Sequence, residues 1–190
     1  AAIAGVPADA PRIDPGPVSA GIDVLRDETF ARLRGARLGL LTNQTGRALD
    51  GVSTIDLLHE APAVQLKTLF SPEHGIRGTF DAAVPSTRDL STGLPVHSLY
   101  GETRRPSAAM LEGVDTIVVD LQDVGARFYT YMTTMAYVME AAAERGLKVV
   151  VLDRPNPING TAVEGPWLDD AALGFTGYFS MPVRHGLTIG

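Results

Sequence analysis

Four groups of polar residues each follow at once on a short apolar run. They are Asn43-Gln44 after 37–41, Ser71-Pro72-Glu73-His74-Gly75 after 64–70, Asp120 to Arg127 after 115–119, and Asp153-Arg154-Pro155-Asn156 after 147–152. Glu73 carries the clearest chemistry. It sits between Pro72 and His74 and precedes glycines at 75 and 78, which let backbone approach a ligand closely. A carboxyl desolvated in a cleft can keep its proton and act as a general acid. The competing reading is a solvated loop glutamate paired with Arg77. His74 reads as a structural or ligand-contacting neighbour and not as a metal ligand. Asp120 and Asp123 stand on either side of Gln122, with Arg127 four residues beyond Asp123. They suit substrate hydroxyls or a second catalytic group; the alternative is an Asp–Arg pair that shapes the loop. Tyr129 and Tyr131 can stack on a sugar or pack beneath the rim. In 153–160 two prolines fix φ and Asn159-Gly160 supplies a turn, which leaves the Asp153, Arg154 and Asn156 set unexplained by turn chemistry. Glu164 is a further candidate carboxylate, and Arg184-His185 closes the series.

Several other chemistries are excluded. The 190 residues contain no cysteine, so thiol catalysis, thiolate metal sites and disulfides are ruled out. Histidines at 59, 74, 97 and 185 form no HExxH pair, and no metal is expected. Sixteen basic against twenty-two acidic residues give a net charge of −6, which argues against nucleic acid or an anionic membrane as partner. There is no GxGxxG, GxxxxGK or GxSxG, so neither a nucleotide cofactor nor an esterase elbow is indicated. No apolar run approaches 18 residues, so no membrane span is predicted.

The elements that must position these residues follow from the pattern. Strands are predicted over 37–41, 64–70, 95–98, 115–119 and 147–152, with helices over 53–60 (Ser53 capping), 106–111 and 129–145, the last closed by Gly146. Continuous apolar strands alternating with helices indicate a doubly wound, mostly parallel α/β sheet covered on both faces. Ligands bind such sheets outside the carboxyl ends of the strands, where the four polar groups fall. Residues 1–20, rich in Ala, Pro and Gly, read as a flexible tail or as the spacer left by a cleaved signal peptide. Residues 182–190 read as the opening of a helix left incomplete, so the stretch is expected to be part of a longer protein.

The segments GLLTNQTG (39–46), LFSPEHGIRG (69–78), DLQDVGARFYTY (120–131), LDRPNPING (152–160), VEGP (163–166) and PVRHGLTIG (182–190) together resemble the DUF1343 family, the exo-β-N-acetylmuramidases called NamZ. The resemblance covers roughly 21–190. It implies a Rossmann-like first domain, a second domain beyond it, and a site in the cleft between them. The implied activity is release of terminal, non-reducing β-linked N-acetylmuramic acid from peptidoglycan fragments in cell-wall turnover, without a cofactor. A periplasmic or extracellular location follows from that substrate. Carried over by motif, Glu73 is the acid, and Asn43, Asp120, Asp123, Arg127, Asp153, Arg154, Asn156 and His185 line the pocket. Arg77, Arg127 or Arg184 would meet the sugar's lactyl carboxylate. A second carboxylate would be Asp120, Asp123 or Glu164, or none if the substrate's acetamide serves. These residues alone are expected to fold but to turn over substrate poorly. A sugar- or peptidoglycan-binding module without turnover is the alternative.

Overall fold

The computed structural model describes residues 18–73, 75–76 and 87–190. Among them, strands β1 (Arg37–Thr42), β2 (Gln65–Ser71), β3 (Thr87–Arg88), β4 (Pro95–Ser98), β5 (Thr116–Asp120) and β6 (Lys148–Val151) form one sheet in the order β3-β4-β2-β1-β5-β6. All neighbours are parallel except β3 with β4. From the central β1 the chain steps outward through β2 to β4, then returns to β5 and β6 on the other side. Strand order therefore reverses between β1 and β5, the place where doubly wound sheets bind ligands.

The expected two-sided burial is present. Alternating side chains along a strand face opposite ways, and β5 shows it directly. Val118 joins Leu38, Leu40, Ile55 and Leu58 in one apolar layer, while Ile117 and Val119 join Leu41, Phe70, Tyr131 and Val138 in the other. Helix α2 (Thr54–Glu60) covers the first layer and α3 (Tyr131–Glu144) the second. Ser53 caps α2 as predicted, its Oγ accepting from the Asp56 amide at 3.1 Å. Gly146 ends α3 at φ 65°.

Four expectations need correction or completion. Residues 106–111 form only a single 3-10 turn at Ala109–Leu111, with Glu112 already extended, because so short a segment makes too few hydrogen bonds to propagate a helix. The loop after β2 contains the short antiparallel β3. The last residues do not open a helix: Pro182–Arg184 is β8, paired antiparallel with β7 (Glu164–Trp167), and residues 185–190 follow without regular structure. A helix with no predicted counterpart, α1 (Gly21–Asp27), buries Ile22 and Leu25 under the first layer. The predicted tail falls mostly on residues 1–17, outside the described residues.

Helix α1 starts against the sheet rim. The Gly21 amide donates to the Asp153 carbonyl at 2.9 Å, and a Cβ there would lie 2.6 Å from the Leu152 backbone. Gly21→Ala must push backbone from backbone, and overpacking of that kind costs about 1–3 kcal/mol. For a chain of this length the expected result is a fall in thermal midpoint of about 2–4 °C per kcal/mol, read by calorimetry. An unchanged midpoint would show that α1 docks loosely.

Candidate functional site

The strand register brings all four polar groups to one edge: Thr42 is level with Asp120, Val119 with Val151, and Ser71 with Ser98. At the switch point the β1 and β5 loops are stitched together. Asn43 Oδ1 accepts from the Thr45 amide and hydroxyl at 2.9 and 2.6 Å, and Thr45 Oγ1 accepts from the Gln122 amide at 3.1 Å. This leaves Asn43 Nδ2 buried without a hydrogen-bond partner among the described residues. The Asn43 side chain lies beside Tyr131 and offsets part of the rise that burial gives its phenol. A buried donor in that state costs free energy unless something else meets it.

Asp120 is wholly buried and fully engaged. Arg154 grips it through two bonds, Nε to Oδ1 at 2.6 Å and Nη2 to Oδ2 at 2.9 Å, and the Thr54 hydroxyl donates to Oδ2. Burial pushes its carboxyl above the ordinary range, while the Arg154 and Thr54 contacts pull it back. Arg154 also donates to the Arg47 carbonyl at 2.8 Å. Asp123 accepts from the Gly125 amide at 2.7 Å and lies 3.4 Å from His185 Nε2. His185 Nδ1 accepts from the Leu187 amide at 3.2 Å, and its Nε2 is buried without a hydrogen-bond partner among the described residues.

Asp153 and Asn156 clamp the final residues. Asp153 accepts from the Thr188 hydroxyl at 2.6 Å and the Gly190 amide at 3.0 Å, and Asn156 donates to the Leu187 carbonyl at 2.9 Å. Arg127 donates to the carbonyls of Pro166 and Met181, pinning the β7–β8 ribbon to the rim. Exposed Glu164 is paired with Arg184 at 2.9 Å, and Arg184 also donates to the Ile158 carbonyl. His74 and Arg77 lie outside the described residues.

Glu73 is different. It is half-buried, and its contacts among the described residues are neutral hydroxyls: Thr130 Oγ1 donates to Oε2 at 2.8 Å, and the Tyr100 hydroxyl faces it. Hydrogen bonding with Glu73 raises the Tyr100 phenol above its ordinary value. Tyr131 is also raised, by burial first and then by Tyr129, with Glu73 adding to it. The Tyr129 and Tyr131 rings meet edge to face at 4.6 Å. Thr130 and Tyr100 had no place among the predicted residues. Tyr100 stands two residues beyond the end of β4, the same kind of strand-end position as the other groups.

A family model described as the N-terminal region of exo-beta-N-acetylmuramidase NamZ matches residues 38–190. Over 175 residues the chain is 49% identical to the peptidoglycan beta-N-acetylmuramidase NamZ of Bacillus subtilis (strain 168), covering 91% of this chain and 42% of that protein. A crystal structure of a DUF1343 family protein from Bacteroides fragilis NCTC 9343 superposes with a TM-score of 0.84 at 49% identity, over 90% of this chain and 43% of that one. A second such protein from the same strain gives 0.79 at 38% identity, over 92% and 45%. The chain thus spans less than half the length of these relatives.

The Asp120–Arg154 pair joins the ends of β5 and β6 to the start of α2. Removing one member of a buried pair leaves an uncompensated charge or donor and costs about 3–5 kcal/mol. Arg154→Met and Asp120→Asn should each lower the urea midpoint accordingly, and the double-mutant cycle should show strong coupling. A loss below about 1 kcal/mol in both would mean the pair is dispensable to the rim.

Proposed function

This chain belongs to the NamZ N-terminal family, and from that membership we propose that its parent protein is an exo-β-N-acetylmuramidase with Glu73 as general acid. The substrate is the terminal, non-reducing β-linked N-acetylmuramic acid of peptidoglycan fragments, and the role is cell-wall turnover. Location outside the cytoplasm follows from where that polymer lies.

The observation that carries the reading is the state of the carboxylates. Asp120 is held by Arg154, Asp123 by a backbone amide, and Glu164 by Arg184. Among the described residues Glu73 meets only hydroxyls, on a half-buried rim. A carboxyl in that state can pass a proton to a leaving oxygen without first breaking an ion pair. Because the other three are engaged, the arrangement favours participation of the substrate's own acetamide over a second protein carboxylate, as some glycosidases do. Asp120, Asp153 and Asn156 then shape the pocket by holding its loops.

Glu73→Gln in the full-length protein keeps size and hydrogen bonding but cannot donate the proton. On a chromogenic β-N-acetylmuramic acid glycoside its kcat should fall by about 10²–10⁴-fold with KM little changed. A variant within threefold of wild type would remove Glu73 from the acid role. A wild-type protein that binds the sugar saturably and releases no chromophore would instead be a binding module.

A further inference from the structure

We infer that Arg104, cradled on Phe175, is the cation that receives the carboxylate of the acid-bearing sugar; this rests on the muramidase reading above. A lactyl carboxylate entering a protein of net charge −6 needs a fixed cation with free donors. Among the described residues the other rim arginines are engaged: Arg154 on Asp120, Arg127 on two carbonyls, Arg184 on Glu164 and a carbonyl, Arg105 on Glu144 at 2.6 Å. Among the described residues no carboxylate or carbonyl takes the exposed Arg104.

Its position is nonetheless set. The guanidinium carbon sits 4.1 Å from the centre of the Phe175 ring. A cation held over an aromatic face is oriented without using its N–H donors, which remain available for a planar, two-bond grip on a carboxylate. Phe175 is itself fixed. It is presented by the Gly174–Gly177 turn, closed by two backbone bonds of 3.0 and 3.1 Å, and its ring lies 6.1 Å from Tyr100 and stacks on Tyr137 at 6.5 Å.

Tyr100 links this platform to the chemistry. Its hydroxyl faces Glu73, its ring packs toward Phe175, and its phenol feels the Arg104 charge. Acid and cation therefore flank one tyrosine. A sugar whose glycosidic oxygen meets Glu73 would lie along Tyr100 with its acid substituent toward Arg104. Phe175 acts through Arg104 as a positioning residue.

The test compares kcat/KM of the full-length protein for a chromogenic β-N-acetylmuramic acid glycoside and for its lactyl methyl ester, which lacks the charge. Wild type should prefer the acid by at least tenfold. Arg104→Met, which keeps the stem over Phe175, should abolish that preference, mainly through KM. Arg104→Lys should keep part of it and Phe175→Leu should weaken it, with circular dichroism confirming each fold. An undiminished preference in Arg104→Met, no preference in wild type, or its loss in Arg77→Met but not in Arg104→Met would each overturn the assignment while leaving a muramidase. Wild type that turns over neither glycoside overturns the muramidase reading, and this assignment with it.

Discussion

The rim depends on a carboxylate buried where it has no contact with water. Asp120 ends β5 at the switch point with no exposed surface, and an isolated charge there would be prohibitively costly. Arg154 makes burial tolerable with a planar two-bond contact, and Thr54 satisfies a further lone pair. The pair's value lies less in net energy, which desolvation largely cancels, than in what it ties together. Arg154 comes from the loop after β6 and also holds the Arg47 carbonyl; Thr54 begins α2; the Thr42 hydroxyl at the end of β1 donates to the Asp120 carbonyl at 2.8 Å. Four chain segments meet on one residue.

From that anchor the other loops take their places. Gln122, two residues on, donates its backbone amide to Thr45 of the β1 loop and its side-chain amide to the Pro155 carbonyl. Asp123 turns the chain at Gly125, where φ of 79° and the packing of Asn156 leave no room for a Cβ. The β7–β8 ribbon is then fastened by Arg127 and by the Arg127 amide to the Val183 carbonyl. These polar contacts build a floor. On it stand Glu73, Tyr100 and the Tyr129–Tyr131 pair, which make no ion pair among the described residues.

Much of this was legible in the sequence. Apolar runs of four to seven residues separated by capped helices have few alternatives to a parallel doubly wound sheet, and the strand ends locate the rim. What sequence could not rank were the roles within the rim, because the partners are far apart along the chain. Thr130 reaches Glu73 across 57 positions and Arg154 reaches Asp120 across 34. Asp120 and Glu73 look equally reactive as letters; only burial and partners separate them. Helix α1 escaped because, unlike the equally short α2 with its Ser53 cap, it begins at Ala20 and Gly21 with no capping side chain to mark it. The final residues misled for a different reason. Their non-helical path is held by Asp153 and Asn156, a tertiary effect no local pattern carries.

The division between anchored and uncommitted carboxylates also explains why the sequence places so many acids on one edge. A carboxyl that must cycle between protonated and ionised forms during turnover cannot also hold the fold, since each protonation of Asp120 would surrender the Arg154 contact and unsettle four segments at once. Conversely, a carboxyl free to cycle cannot position itself by ionic contact and must be placed by neutral groups whose hydrogen bonds survive in either state. Thr130, at the head of α3, and Tyr100, beyond β4, supply that placement from opposite sides of the sheet's edge. A hydroxyl can donate to an ionised carboxylate and accept from a protonated one simply by rotating its hydrogen. In the acid role proposed for it, Glu73 would be held by such hydroxyls in either state, while the ionic contacts beneath it hold the neighbouring loops.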